Sequence, residues 1–231
     1  MKKTEETLEN QCEFCKKVFK RESSIVNHTC EGKRRWLDKD LQSNRIGFQT
    51  WLVFYEKNTM AKKPRTYSDF IKSPYYLAFV KFGAYCVNAH VLNPIRYSEW
   101  LITNKVSVDS WTTDTNYNKF LIDFLKFEDP FDAIYRSVET TVQLSEIENV
   151  KSSDVLKYGN TNRICQYITN AKISPWMLYQ SDSGKFFLER LNETQIKLIF
   201  DYINPEAWAI KFVKYPEQTK TIKELLQVGG Y

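Results

Sequence analysis

Four residues near the N-terminus have the types and the spacing of a metal site. Cys12 and Cys15 are separated by two residues, and after a further twelve residues His28 and Cys30 are separated by one. Thiolates and imidazoles are donors that Zn²⁺ prefers, and two cysteines spaced in this way can place both sulfurs on one ion from a tight turn. The pattern therefore predicts a zinc site, and a structural one, because four protein ligands leave no open position for a catalytic water.

The segment around these ligands, about residues 10–31, resembles the Cys2His2 zinc-finger family in its Cys2HisCys variant. Phe19 and Ile25 stand where that family places the two apolar residues of its miniature core. The resemblance implies a short ββα-like unit that depends on the metal for its stability, since so small a module buries too little apolar surface to fold alone. The family leaves three to five residues between its last two ligands, whereas only Thr29 intervenes here. The helix must therefore end or tighten near His28.

The same resemblance implies where nucleic acid would bind. The family reads base edges with the residue before its helix and with two residues on the exposed helix face, which here are Arg21, Ser24 and Asn27. Basic residues around the ligands would contact phosphates; they are Lys16, Lys17, Lys20, Lys33, Arg34 and Arg35. We expect a nucleic-acid partner, DNA in the first place. A protein partner in a larger assembly stays open as the alternative, because many lone fingers bind proteins.

The charge of the chain is uneven. The formal net charge is +5, and residues 31–65 contain nine Lys or Arg against four Asp or Glu. A basic stretch beside a small module is typical of phosphate contact. Solvated helices often carry such charge as well, so the stretch supports a nucleic-acid partner without requiring one.

The sequence shows neither a membrane helix nor a signal peptide, and these two features decide the compartment that we expect. No stretch approaches the roughly 20 apolar residues of a membrane helix, and the polar N-terminus has no apolar segment of a signal peptide. We expect an intracellular, cytoplasmic protein without a membrane partner. Cys86 and Cys165 stand in apolar surroundings, and we expect them to be buried thiols.

The remainder of the chain has the signals of an all-α body. In five places a Ser, Asn or Asp that can accept first-turn N–H groups precedes a Pro that needs none: Ser73-Pro74, Asn93-Pro94, Asp129-Pro130, Ser174-Pro175 and Asn204-Pro205. Asn192 and Gln195 have the spacing of a capping box. We predict a mainly α fold, in which a ββα-like finger at residues 1–32 is followed by an α-helical domain at residues 33–231.

Two segments could interrupt this body. Residues 59–65, with Lys62, Lys63 and Pro64, are the expected flexible joint. The helical pattern weakens again at residues 146–153, where we expect a division into two subdomains. Gly47 is a weak point in the helix that follows the finger.

Over nearly its full length the chain is similar to a zinc-finger protein family of T-even-like tailed bacteriophages. The segments that carry this resemblance are CEFCKKVFKRESS at residues 12–24, KSPYYLAFVKFGAYCVN at 72–88, KYGNTNRICQYIT at 157–169, ISPWMLYQSDSGKFFLERL at 173–191 and NPEAW at 204–208. The resemblance implies a phage-encoded protein in the host cytoplasm with a finger and a DNA-linked role. The resemblance thus indicates where the protein would act and does not indicate a molecular mechanism.

Signals for catalysis are weak, and the sequence favours a protein that is not an enzyme. Residues 181–185 lack the spacing of a phosphate-binding loop, and histidine, the usual general base, occurs only twice. The acids of residues 128–132 could bind a metal, but acids of this kind more often decorate a helix N-terminus. Residues 158–163 could offer amides and Arg163 to a phosphate, although a helix end followed by a capped helix is the favoured interpretation.

Overall fold

The computed structural model describes residues 10–59 and 64–231, and over these residues the chain is mainly helical. It divides into two compact units, Met1–Thr113 and Asp114–Tyr231. The helices of the first unit are α1 (Glu22–Val26), α2 (Glu31–Leu37), α3 (Gln42–Asn58), α4 (Tyr67–Lys72), α5 (Tyr76–Asn88) and α6 (Pro94–Thr103). The helices of the second unit are α7 (Asp114–Phe127), α8 (Pro130–Glu148), α9 (Val155–Tyr158), α10 (Thr161–Thr169), α11 (Pro175–Gln180), α12 (Asp182–Glu189), α13 (Glu193–Ile203), α14 (Pro205–Lys214) and α15 (Pro216–Val228). Within the described ranges, no helix is both long enough and apolar enough to cross a membrane.

The start of the first unit is not the ββα finger that the resemblance implied. No strand occurs among the described residues, and the only pairing before α1 is an isolated antiparallel bridge between Gln11 and Val18. Helix α1 is five residues long and ends at Val26. With one residue between them, His28 and Cys30 cannot lie on the same face of a helix. A loop therefore carries His28, and a new helix, α2, begins directly after Cys30.

Side-chain caps begin the helices at most of the predicted positions. Four of the five residues before a proline accept a first-turn N–H as predicted: Asn93, Asp129, Ser174 and Asn204. At the fifth position, Ser73, the hydroxyl accepts the N–H of Tyr75 at 3.1 Å just before α5 begins at Tyr76, and it also accepts the indole N–H of Trp51 at 3.1 Å. The capping box of Asn192 and Gln195 is confirmed.

The first unit is built around the crossing of α3 and α5. A Cβ added to Gly83 would lie 1.9 Å from the main-chain oxygen of Ser43, and one added to Gly47 would lie 2.7 Å from that of Phe79. The two backbones therefore meet where only glycine leaves room, and Gly47 is a packing position as well as a weak helix former. Large aromatic side chains fill the core of this unit: Trp51, Phe70, Phe79, Phe82 and Trp111.

In the second unit the long helix α8 packs against α9, α11 and α15. Its Thr141 hydroxyl shares a hydrogen bond of 2.8 Å with the hydroxyl of Tyr231. The buried indoles of Trp176 and Trp208 meet edge to face, with ring centroids 6.1 Å apart. These buried contacts show that the second unit has an apolar core of its own.

The boundary between the units differs from the divisions suggested by the sequence. The two compact units meet between Thr113 and Asp114, a boundary that the sequence did not indicate. Residues 146–153 lie inside the second unit, where Asn149 ends α8 in the left-handed conformation with a φ of 51°. The 3₁₀ turn Ser152–Asp154 then packs back on α8. Of the joint expected at residues 59–65, residues 60–63 lie outside the described residues.

Candidate metal centre

Cys12 and Cys15 lie on a tight turn that the backbone closes by itself. The carbonyl of Cys12 accepts the N–H of Lys16 at 2.9 Å, and the N–H of Cys12 donates to the carbonyl of Lys17 at 2.9 Å. Lys16 turns the chain with a φ of 61°. A backbone hydrogen bond from Cys15 lowers the pKa of the Cys12 thiol, which favours the thiolate that binds metals.

His28 lies in the loop after α1, where two apolar residues support it. Its N–H donates to the carbonyl of Ile25 at 3.1 Å, and its imidazole packs against Phe19 with the ring centroids 4.6 Å apart. Phe19 and Ile25 are the residues that the family resemblance assigned to a miniature core. In this fold both of them help to position the imidazole.

Cys30 stands at the start of α2 and is tied to the loop before it. Its Sγ accepts the N–H of Lys33 at 3.5 Å. The ammonium of Lys33 turns back and donates to the carbonyls of His28 at 3.1 Å and Val26 at 3.4 Å. Lys33 therefore connects the helix that begins at one ligand with the loop that carries another.

The four ligand atoms of Cys12, Cys15, His28 and Cys30 all lie within 4.8 Å of one another. The Sγ atoms of Cys12 and Cys30 are 3.8 Å apart, and Cys15 Sγ is 3.2 Å from His28 Nε2. Tetrahedral zinc with bonds of about 2.3 Å to sulfur and 2.0–2.1 Å to nitrogen requires separations of about 3.8 Å and 3.5 Å, respectively. The predicted convergence of the four residues is confirmed, and their spacing fits one tetrahedral metal ion.

The described residues contain no second group of three or more His, Cys, Asp or Glu that converges in this way. The acids considered at residues 128–132 have other partners. Glu128 is buried and forms an ion pair of 2.6 Å with Arg136. The Asp129 carboxylate caps α8 by accepting the N–H groups of Phe131 at 2.9 Å and Asp132 at 3.2 Å. These side chains hold the second unit together and do not form a metal site.

Two further positions considered in the sequence also have structural roles. Burial raises the pKa of the Cys86 thiol to about 12 and that of Cys165 to about 11, so both stay protonated at neutral pH. In the segment 158–163, the Asn160 side chain accepts the N–H of Arg163 at 3.1 Å and caps α10. The guanidinium of Arg163 is bound to Glu148 at 2.6 Å. The interpretation of this segment as a capped helix start is confirmed.

Seven of the nine predicted nucleic-acid contacts have exposed side chains: Lys16, Lys17, Lys20, Arg21, Ser24, Asn27 and Arg34. Within the described part of the chain, none of the five cations in this set forms an ion pair with a carboxylate. Asn27 donates from its side chain to the carbonyl of Ser23 at 3.0 Å. The five cations remain available to an external anion.

The other two predicted contacts, Lys33 and Arg35, are engaged inside the protein. Arg35 donates to the main-chain oxygen of Ile71 at 2.6 Å, and its guanidinium lies 4.3 Å from the centre of the Tyr76 ring. It also pairs with Glu31. Lys33 therefore has partners in the loop before α2, and Arg35 has partners on α4 and α5. The phosphate contact expected of these two residues stays a prediction.

Sequence analysis missed the residues that attach the ligands to the first unit. Phe14, between the first two cysteines, lies 6.0 Å from Trp36 between ring centroids, and Trp36 lies 5.9 Å from Tyr67. Gly32 lets Phe14 approach, since an added Cβ would lie 3.0 Å from the Cβ of Phe14. The sequence does contain one indication of this contact, the aromatic Phe14 between the ligands Cys12 and Cys15. We call residues 10–37, with their four ligands, the metal module.

Comparison of the chain with known proteins identified no related protein. No protein-family model matches the chain, and neither a curated protein nor a solved structure is detectably similar to it. The resemblance to a tailed-phage family therefore stays a prediction. Function has to be inferred from the residues of the metal module.

Proposed function

We propose that the ion is Zn²⁺ and that the metal module binds nucleic acid, DNA in the first place. The protein would be a phage-encoded accessory protein in DNA metabolism or transcription, the setting implied by the family resemblance. Three soft thiolates and one imidazole are a donor set that suits zinc. Zinc would stabilise the module and, with four protein ligands, would take no part in a reaction.

The observation that carries this proposal is the set of exposed cations on the metal module: Lys16, Lys17, Lys20, Arg21 and Arg34. Four of them come within ten positions of the chain, on both sides of the isolated bridge and next to α1. Among the described residues none of these cations forms an ion pair with a carboxylate. They can therefore contact phosphates, which supply most of the affinity in non-specific binding. The metal would keep these cations together by holding the turn and the loop.

Helix α1 does not have the form of a helix that reads base edges. Arg21, Ser24 and Asn27 were assigned to base edges because a ββα finger docks its helix in the major groove. Helix α1 has five residues and ends before His28, so it lacks the length of such a recognition helix. We therefore propose binding through phosphates, with little preference for sequence.

The test is the salt dependence of binding to a fluorescein-labelled DNA duplex of about 20 base pairs. About five phosphate contacts predict a slope of log K against log [salt] of about −4 to −5. Changing Lys16, Lys20 and Arg21 together to Gln should reduce the magnitude of this slope by about 3. The matched control changes Lys197, Lys220 and Lys223, which are exposed in the second unit, to Gln. The proposal would be disproved if the affinity for DNA did not depend on salt concentration, or if the control variant reduced the slope equally.

A second candidate function is protein docking by the metal module. Val18 and Val26 have exposed side chains on the module, with 55% and 67% of their surface accessible. Replacing both with Ser should then abolish recovery of a partner protein that withstands nuclease treatment, while the salt-dependent binding of DNA stays unchanged. Recovery of nucleic acid alone, lost after nuclease treatment, would exclude this candidate.

A further inference from the structure

Helix α8 of the second unit carries an exposed apolar seam with the spacing of a coiled coil. Phe131, Tyr135, Val138 and Val142 follow one another at intervals of four, three and four residues. These intervals are those of the a and d positions of a heptad, which form one stripe along a helix. The seam is not part of the core, since 44% of Phe131, 67% of Tyr135 and 46% of Val142 are exposed.

A second face of α8, which adjoins the seam at Ile134 and Thr141, packs into the core of the second unit. Ala133, Ile134, Ser137, Thr141 and Leu144 are buried there. Helix α8 therefore has two apolar faces, and folding of the second unit uses only one of them. A helix that serves its own core needs one apolar stripe, with polar residues opposite. The exposed seam is therefore a second apolar stripe, which the core of the second unit does not require.

A row of acids runs along one side of the seam. Asp132, Glu139 and Glu146 are exposed and lie seven residues apart, at the position of the heptad that flanks a two-helix contact. Among the described residues none of them has a Lys or Arg partner. Flanking charges of a coiled coil choose the partner helix by pairing with charges of opposite sign.

From this arrangement we infer that α8 is a docking surface for an amphipathic helix of another protein, with a Lys- or Arg-rich flank beside its apolar seam. A second copy of this chain fits poorly. In an antiparallel pair, the acids of the two copies would face each other. In a parallel pair they would face the Ile134 and Thr141 positions, which are buried. The one cation of α8, Arg136, is already paired with Glu128.

This inference does not rest on the proposed function of the metal module. The seam covers about two heptads, or about 16 Å of helix. So short a contact suits reversible binding, in which flanking charge decides which helix is accepted.

The probe for the test is a synthetic, fluorescently labelled peptide of about three heptads, with Leu and Ile at the a and d positions and Lys at the flanking positions. A second peptide has Glu in place of each Lys. Like charges on its own flanks disfavour self-association of either peptide. We expect the full-length protein to bind the Lys peptide at least about tenfold more tightly than the Glu peptide, as followed by anisotropy.

Two variants test the two halves of the inference. Glu139→Lys with Glu146→Lys should reverse the preference towards the Glu peptide, and both positions are exposed, so the fold should survive. Tyr135→Ser with Val142→Ser should weaken binding of the Lys peptide about tenfold or more. The matched controls are Glu217→Lys with Glu224→Lys for charge, and Ile210→Ser with Val213→Ser for apolar surface.

Binding of the Lys peptide that is lost in both α8 variants and retained in both controls supports the inference. Equal binding of the two peptides, or an equal effect of the controls, overturns it. Sedimentation equilibrium of the protein alone tests whether a second copy covers the seam. A dimer that is lost in the variant Tyr135→Ser with Val142→Ser would show this, and it would also overturn the inference.

Discussion

The ammonium of Lys33 donates to the main-chain carbonyl of His28 at 3.1 Å, while the N–H of Lys33 donates to the sulfur of Cys30 at 3.5 Å. One residue thus supports two ligands, one through its side chain and one through its backbone. Basic residues of the metal module therefore fall into two groups, those that hold the metal centre and those that face solvent. Metal binding and nucleic-acid binding should respond to different lysines.

Metal content is the first prediction. Purified protein should contain about one zinc per chain, with three sulfurs at about 2.3 Å and one nitrogen at about 2.0–2.1 Å. Cys12→Ser or Cys15→Ser should release the ion and unfold the metal module, because ligation supplies the folding free energy of so small a unit. Elemental analysis, X-ray absorption and hydrogen exchange measure these three effects.

The second unit should keep its fold in these variants, since its core is made by its own residues. Cys165→Ala, which removes a buried thiol outside the metal module, should leave the zinc content unchanged. Protein prepared under reducing conditions without chelators that contained no zinc would contradict the assignment. Cooperative loss of protection in both units on chelation would contradict the independence of the second unit.

Lys33→Met should weaken zinc binding about thirtyfold, as measured by competition with a chromogenic chelator. The variant loses two hydrogen bonds from a charged donor, each worth roughly 1 kcal/mol at a partly exposed site. The slope of DNA binding against salt should not change in zinc-saturated protein. Lys17→Met, at an exposed position of the same module, is the control and should show the opposite pattern. A changed slope in Lys33→Met would return this residue to the nucleic-acid surface.

Gly83→Ala should destabilise the first unit by at least about 2 kcal/mol, because the new Cβ would overlap the Ser43 carbonyl and force α3 and α5 apart. Chemical denaturation monitored by tryptophan fluorescence gives the free energy of unfolding. Lys81→Ala, on an exposed position of α5, should change this free energy little. If the Gly83 variant were as stable as the wild type, the two backbones could not cross as closely as described.

The pH dependence of the second unit should contain a contribution from Lys211. Burial beside the rings of Trp176 and Trp208 lowers its pKa to about 8, although its ammonium donates to the carbonyl of Lys126 at 2.7 Å. The unfolded chain, with a lysine pKa of about 10.4, then holds the proton more tightly. The stability that this group contributes is therefore full above about pH 10.4 and is lost as the pH falls through about 8.

Urea denaturation of the wild type and of Lys211→Met at a series of pH values measures this effect. We expect the difference in free energy of unfolding, wild type minus variant, to rise from about pH 8 to about pH 10. Lys214→Met, exposed on the same helix, should give a difference that stays flat. A flat difference for Lys211→Met would show that its pKa is not lowered.

The sequence alone predicted those features that residues close together in the chain form with one another. The spacing of Cys12 and Cys15 predicted a turn that brings two sulfurs together, and Asn192 with Gln195 predicted a capping box. Both features are made by residues within a few positions of each other, so the backbone geometry of a single turn decides them. The single residue between His28 and Cys30 even predicted that a helix could not continue between them.

The partners of a side chain that are distant in the chain were decided only by the tertiary structure. Arg34 and Arg35 are neighbours of equal charge, yet Arg34 is exposed while Arg35 reaches the carbonyl of Ile71 and the ring of Tyr76. Which of the two faces solvent depends on where α4 and α5 pack against α2. The sequence determined only that both residues are cationic. Packing between segments far apart in sequence determined which of them hold the metal module in place and which remain free to meet a phosphate.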